Sequence, residues 1–152
     1  MMDLSQIAYE ERMIPNVPIL ATHAIEINAS VEWVWQVATD IKNWPQWHDH
    51  LKNAKISGPF VQGSHFSFGG LFKHHLTLSK IKQFDLVMYF GTLLGYAGVT
   101  KWKFTPVTSE KTKVTFTESS KGFLLGVLYS NDALETHLKT WLEKLKQRTE
   151  LN

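Results

Sequence analysis

The feature that most limits how this chain can fold is a switch in its hydrophobic periodicity. From about residue 51 to residue 119, apolar residues recur at every second position, which is typical of β-strands. From Gly122 to about Arg148 they recur at helical spacing and form one stripe. Strands with one apolar face and a single long amphipathic helix bury both surfaces only if the sheet curls around the helix.

Short runs of glycine, proline and polar residues divide the period-two region into strands. We predict strands at 51–57, 64–69, 72–82, 85–92, 96–105 and 111–119. Alternation over Ile19–Ile27 adds an earlier strand, which makes seven. The connections after residue 51 are too short for crossover helices, so the sheet is expected to be antiparallel.

Two short helices are expected between the first strand and the second. Ser30 is a good N-cap for a helix over Val31–Ala38, and Asp40 can cap another over Ile41–Trp47. Trp44 and Trp47 are interpreted as packing residues of this connector. The order of elements predicts an α+β fold in which a seven-stranded curved antiparallel sheet surrounds a long C-terminal helix.

Length and composition favour one domain, since 152 residues suit a single core. We predict a domain over 18–152 and a loosely attached arm over 1–17, in which Leu4, Ile7 and Ala8 form one helical turn. The absence of cysteine excludes disulfides and sulfur-based metal sites. Without a signal-like start or a long apolar run, we predict a cytoplasmic protein with no stable membrane insertion.

The charge distribution argues against nucleic acid as a partner. The formal net charge is +2, and the sequence pI is about 8.8. Nucleic-acid-binding proteins usually gather basic residues into one patch, whereas these lysines are scattered. We therefore predict no nucleic-acid binding, and the sequence leaves the oligomeric state open.

Two adjacent segments carry a resemblance to a known family. Ile25–Trp35 reads as strand, alanine and helix, and Asp40–His48 contains the letters DIKNWPQW. This arrangement resembles the START-like superfamily, and within it the polyketide cyclase/dehydrase and lipid-transport group, over roughly residues 18–149. The resemblance implies a helix-grip fold with a cavity. It leaves the function open, because the superfamily includes cyclases, lipid carriers, receptors and chaperone co-activators.

Aromatic content supports a cavity, since the chain has six tryptophans and nine phenylalanines. We expect a small hydrophobic ligand, such as a lipid, a polyketide-like or an aromatic molecule, on the concave face. The predicted lining residues share inward positions on the strands and helix: Phe66, Phe68, Met88, Phe90, Thr100, Trp102, Phe104, Phe116, Asn131, Leu134 and Leu138.

Three polar residues at inward positions are candidates for catalysis: His23, Glu118 and Asn131. If the first and last strands are neighbours, His23 lies opposite residue 116 and Glu118 lies on the adjacent diagonal. A buried carboxylate can act as an acid or base. The alternatives are a hydrogen-bonded core histidine, a solvated strand end at Glu118, and a structural asparagine near the helix start.

Histidines raise the question of a metal. His48 and His50 flank Asp49, whereas the adjacent His74 and His75 should point to opposite faces of a strand. No further ligand has a fixed spacing, and no phosphate-binding loop or nucleophile motif is present. We predict no metal and no cofactor.

Three functions are compatible with these observations. We favour a binder or carrier of a small hydrophobic ligand. The alternatives are an enzyme of the cyclase/dehydratase type that acts in the same pocket, and a protein-interaction module such as a chaperone co-activator.

Overall fold

The computed structural model describes residues 3–17, 19–70, 73–93, 96–122 and 131–151. In chain order the elements are α1 (Leu4–Tyr9), β1 (Ile19–Ile27), α2 (Val31–Thr39), a 3₁₀ helix (Ile41–Gln46), β2 (Lys55–Ile56), β3 (His65–Phe68), β4 (His74–Lys82), β5 (Leu86–Leu93), β6 (Tyr96–Thr108), β7 (Lys111–Gly122) and α3 (Asn131–Glu150).

The seven strands form one antiparallel sheet in the order β1-β7-β6-β5-β4-β3-β2. Helix α3 lies on the concave side, where Leu138, Leu142 and Leu145 are buried among the inward side chains of the strands. The predicted α+β helix-grip fold is confirmed.

The second strand is shorter than the predicted 51–57 and covers only Lys55–Ile56. Leu51 and Ala54 are nonetheless buried, and their segment turns rather than extends. Asn53 adopts a left-handed backbone conformation with φ of 56°, which interrupts a strand. The apolar residues that suggested a strand here belong to a turn packed on the core.

The C-terminal helix is described as α3 over Asn131–Glu150, and β7 continues to Gly122, after which the helical pattern was predicted. Residues 123–130, including the loosened turn expected around Gly126, lie outside the described residues. The end of the helix agrees with the prediction within two residues.

The connector agrees closely with the sequence. The Ser30 hydroxyl caps α2 by accepting a hydrogen bond from the backbone N–H of Trp33 at 3.3 Å. The second short helix is a 3₁₀ helix, and Asp40 precedes it without capping it through its side chain. Instead, the Asp40 carboxylate accepts a hydrogen bond from the Asn43 amide at 2.7 Å.

The N-terminal arm is firmly packed, so the expectation of loose attachment is wrong. Helix α1 lies on the convex face of the sheet, where Ile7, Ala8 and Ile14 are buried. The backbone N–H of Ile14 donates to the Ser119 hydroxyl at 2.8 Å. The arm therefore adds a second, smaller core to the outer side of the sheet, because it covers apolar residues that the strands expose there.

The same packing corrects two predicted ligand contacts. Met88 and Phe90 pack with Val99 against the arm on the convex side, not on the concave face. Val87 and Tyr89, their neighbours in β5, face the concave core instead. Strand β5 is apolar on both faces, so its sequence alone did not show which set points inward.

Candidate ligand-binding site

One end of the concave face is filled by aromatic side chains around Trp102. Its ring centroid lies 4.8 Å from Trp141, 5.4 Å from Tyr89 and 5.8 Å from Trp44. Trp102 is 1% exposed, and its indole N–H has no hydrogen-bond partner among the described residues. At this aromatic end, the side chains fill the space between the sheet and α3.

A polar pair lies in the next row of the sheet. Thr100 and Glu118 are directly paired between β6 and β7, and the Thr100 hydroxyl donates to the Glu118 carboxylate at 3.2 Å. Thr100 is buried, Glu118 is half-buried, and Ala21 of β1 stands opposite Glu118. The concave face thus changes from aromatic to polar within one row.

The following row carries small residues. Gly91 of β5 pairs with Gly98 of β6, and Gly98 pairs with Ser120 of β7. All three share the face of Tyr89, Thr100 and Glu118, because each lies two residues away from one of them on the same strand. Two residues of these rows, Ile19 and Tyr89, are large. We call the other residues that β1, β5, β6 and β7 contribute to the two rows the small-residue end: Ala21, Gly91, Gly98, Thr100, Glu118 and Ser120.

His23 stands where its pairing was predicted. It is opposite Phe116, and Glu118 is opposite Ala21, so the predicted register is confirmed. Both side chains share the face of Phe116, but the described residues include no hydrogen bond or ion pair between His23 and Glu118. Catalytic roles for His23, Glu118 and Asn131 remain predictions, and the Asn131 side chain lies outside the described part of the chain.

Most of the other predicted lining residues face the concave core, where they contact one another. Thr100, Trp102, Phe104, Phe116, Leu134 and Leu138 are buried there, with Phe66 buried and Phe68 partly buried beside Trp44. Their contact with a ligand remains a prediction.

Two large contributors to this face, Tyr89 and Trp141, were not predicted. Trp141 lies three residues after Leu138 and seven after Leu134, so helical spacing alone would have placed it on the apolar stripe. Tyr89 was obscured by the continuous apolar run of β5.

Four histidines from three parts of the chain lie close together beside the concave face of the sheet and α3. His48 and His50 follow the 3₁₀ helix, His74 begins β4, and His137 lies on α3. The His48 ring is 5.9 Å from that of His50 and 6.5 Å from that of His137. His74 stacks on Phe68 at 4.9 Å, and its charge acts on His137. We call these four residues the histidine rim.

The surroundings of the histidine rim favour the uncharged form of its imidazole side chains. Burial lowers the pKa of His48 to about 4, and repulsion from His137, Lys144 and His50 acts in the same direction. Burial also lowers the pKa of His137 and of His74. No three histidine or acidic side chains of the described residues are arranged to hold a metal ion.

A curved antiparallel sheet gripping one long helix, with a largely apolar concave face, defines the START-like class of ligand-binding folds. The family model "Polyketide cyclase / dehydrase and lipid transport" matches residues 18–150. The chain belongs to this family.

Solved structures share the fold at low sequence identity. A START superfamily protein from Mycobacterium smegmatis has a TM-score of 0.74 and 12% identity, covering 87% of this chain and 97% of its own. A hypothetical protein from Helicobacter pylori has a TM-score of 0.77 and 14% identity, with 90% and 91% covered.

The Zhui aromatase/cyclase from Streptomyces sp. R1128 is also similar, with a TM-score of 0.70, 14% identity and coverage of 86% and 93%. No curated protein sequence matches the chain significantly. Among the helices described, none combines the length and apolar character that crossing a membrane requires.

Proposed function

We propose that this protein binds a small hydrophobic ligand between α3 and the small-residue end of the sheet. The observation that carries the proposal is the asymmetry of the concave face. Tryptophan and phenylalanine rings fill one end, whereas the small-residue end carries glycine, alanine, serine and threonine around one carboxylate, beside Leu76, Leu78 and Tyr89 of the same rows. Small side chains on the inner face of a gripping sheet leave room for a guest molecule over β1, β6 and β7, whereas Leu76 covers Gly91.

The polar pair gives this site a means of orienting its ligand. Apolar surroundings supply most of the binding free energy, and a few fixed polar groups determine orientation. Glu118 accepts from Thr100, and a carboxylate can accept several hydrogen bonds. A ligand hydroxyl or N–H near this pair would add a donor to the arrangement.

An enzyme of the cyclase/dehydratase type is the second candidate, and the Thr100–Glu118 pair is the observation that favours it. A half-buried carboxylate in an apolar wall is suited to proton transfer. His23 lies one row away on the same face and is the next polar group along β1. Recovery of a chemically altered ligand after incubation would favour this candidate over a carrier.

The test uses two alanines of β1 that point to opposite faces. Ala21 is 6% exposed beside Glu118, whereas Ala24 is exposed on the outer face. We expect Ala21→Leu to weaken uptake of an apolar fluorescent dye about tenfold with little change in melting temperature, because the larger side chain occupies ligand space. Ala24→Leu is the matched control and should bind like the wild type.

Two results would contradict the proposal. If Ala21→Leu lowers stability by the roughly 1–3 kcal/mol of an overpacked core and leaves dye uptake unchanged, this end is solid protein. The protein-interaction alternative then gains support. If stability and uptake are both unchanged, the ligand site lies elsewhere, and the surface groove of about 490 Å³ over β2–β4 is the next place to examine.

A further inference from the structure

The histidine rim contains a buried hydrogen-bond donor that nothing in the described chain satisfies. The backbone N–H of His50 donates to Nδ1 of His48 at 3.3 Å, so the neutral ring carries its proton on Nε2. His48 is 1% exposed, and this Nε2 has no partner among the described residues. Leaving a buried donor unpaired is costly, which makes the position favourable for an acceptor.

The surrounding hydrogen-bond donors favour an anionic acceptor. Four imidazoles meet here, and the carboxylate beside them, Asp49, is engaged by Lys144 at 3.3 Å. Within the described ranges, no carboxylate forms an ion pair with His48, His50, His74 or His137. A carboxylate that entered from outside would meet imidazole N–H donors, and Asp49, whose charge acts on His48 and His50, is already paired with Lys144.

The histidine rim lies beside the small-residue end on β4 and α3. On β4, His74 lies two residues from Leu76, which pairs with Gly91. His74 and Phe68 stack on the same concave side, and Phe68 contacts Trp44. On α3, His137 lies one helical turn before Trp141, which packs on Trp102. A molecule that occupies the small-residue end can therefore extend to the histidines.

We propose that the histidine rim binds the carboxylate of an amphipathic acid whose apolar part occupies the small-residue end. This inference rests on the proposed function and specifies the ligand class as carboxylic acids with an apolar body. A hydrogen bond from an imidazole N–H to a carboxylate is charge-assisted and stronger than one to a neutral oxygen.

Binding of such an acid is coupled to proton uptake. The groups that face His48 are His50 and Asp49 from its own segment, His137 and Lys144 from α3, and His74 reaches the cluster from β4 through His137. In the free protein, burial and mutual repulsion keep the imidazoles of His48 and His137 neutral, whereas an added carboxylate stabilises the imidazolium form. Acid binding near neutral pH therefore draws protons from the buffer.

The experiment compares decanoate with decanol, which share one apolar chain and differ in the headgroup. Titration calorimetry near pH 6.5 in two buffers of different ionisation enthalpy gives both affinities and the number of protons taken up. We expect decanoate to bind about tenfold more tightly than decanol, with net proton uptake. His48→Phe, which keeps the ring and removes the N–H, and His137→Gln should each reduce this preference.

His65→Gln is the matched control, since His65 lies on the convex face and contacts Thr77, and it should retain the full preference. Equal binding of both probes by the wild type would overturn the carboxylate inference alone. A preference for decanoate that persists in His137→Gln would also overturn the carboxylate inference. This variant provides the test if His48→Phe does not fold. Failure of the wild type to bind either probe would overturn the proposed function as well.

Discussion

At Gly91, β5 passes so close to β4 that a β-carbon has no room. A β-carbon there would lie 2.4 Å from the carbonyl oxygen of His75 and 2.6 Å from a methyl group of Leu76. The first of these atoms belongs to the backbone and cannot move aside without disturbing the strand. Glycine is therefore required at this position by the approach of two strands, and not by an unusual backbone angle.

We predict that Gly91→Ala lowers the free energy of unfolding by about 2–3 kcal/mol, because it forces β4 and β5 apart. Gly70→Ala is a matched control, since a β-carbon at Gly70 would meet no atom within 4 Å. It should change stability by less than about 0.5 kcal/mol. Urea denaturation of both variants checks this, and equal midpoints would show that the sheet relaxes around the added methyl group.

Single residues also show how far the sequence predicts the site. The pairing of His23 with Phe116 was predictable because the family resemblance implies that the first and last strands are antiparallel neighbours. The partner of Glu118 was not, because Thr100 and Glu118 are separated by 18 positions and a side-chain hydrogen bond depends on rotamers. The histidine rim was missed because its four residues come from three segments that are far apart in the sequence.

At the scale of elements, the N-terminal arm is a structural layer on the convex face. Helix α1 is only six residues long, too short to be stable alone, and its N-cap Asp3 accepts from the backbone N–H groups of Ser5 and Gln6. Its stability comes from burying Ile7 and Ala8 against β5 and β6. The arm in turn protects Met88 and Val99 from water.

We predict that Ile7→Ala lowers the free energy of unfolding by about 2–4 kcal/mol, as expected for a large-to-small change in a core. Arg12→Ala is the control from the same arm, because its ion pair with Glu10 at 2.7 Å is solvent-exposed and contributes little. Chemical denaturation monitored by tryptophan fluorescence measures both. An Ile7→Ala variant as stable as Arg12→Ala would mean that the arm detaches without cost.

Element-level prediction succeeded where one face of an element is apolar and failed where both are. The alternation over β6 and β7 identifies their inward residues because most of the outward ones are polar. Strand β5 has apolar residues at Leu86, Val87, Met88, Tyr89 and Phe90, since the concave core covers one side and the arm the other. A strand buried on both sides carries no alternation, and the arm was assigned no partner, so Met88 and Phe90 were placed on the wrong face.

At the scale of the whole molecule, the titrating groups divide into two pH ranges. The Glu11 carboxylate accepts hydrogen bonds from Lys82 and Lys80, which lower its pKa from 4.5 to about 2. Glu11 therefore adds to the free energy of unfolding above pH 4.5, its ordinary pKa, and this contribution is lost only as the pH falls below 4.5. The buried histidines act at higher pH, because they must remain neutral in the folded protein while the unfolded chain takes up protons.

The sign of the histidine contribution follows from the direction of the pKa shift. The pKa of His48 falls from 6.5 in the unfolded chain to about 4 in the folded protein, mainly through burial. Between these values the unfolded state binds more protons, so stability falls as the pH is lowered. Each pKa unit corresponds to about 1.4 kcal/mol, so His48 alone accounts for about 3 kcal/mol of lost stability by pH 4. His137 and His74 add to the loss, since burial lowers the pKa of both.

We therefore predict that the free energy of unfolding is flat between about pH 7 and pH 8 and declines steadily from about pH 6.5 to pH 4. In His48→Phe the decline should be shallower by about 3 kcal/mol over the same interval, whereas the two proteins should follow parallel curves above pH 7. Urea titrations at half-unit pH steps provide both curves. Parallel curves over the whole range, with no reduction of the slope below pH 6.5, would show that His48 titrates alike in the folded and unfolded chain and that the histidine rim is open to water.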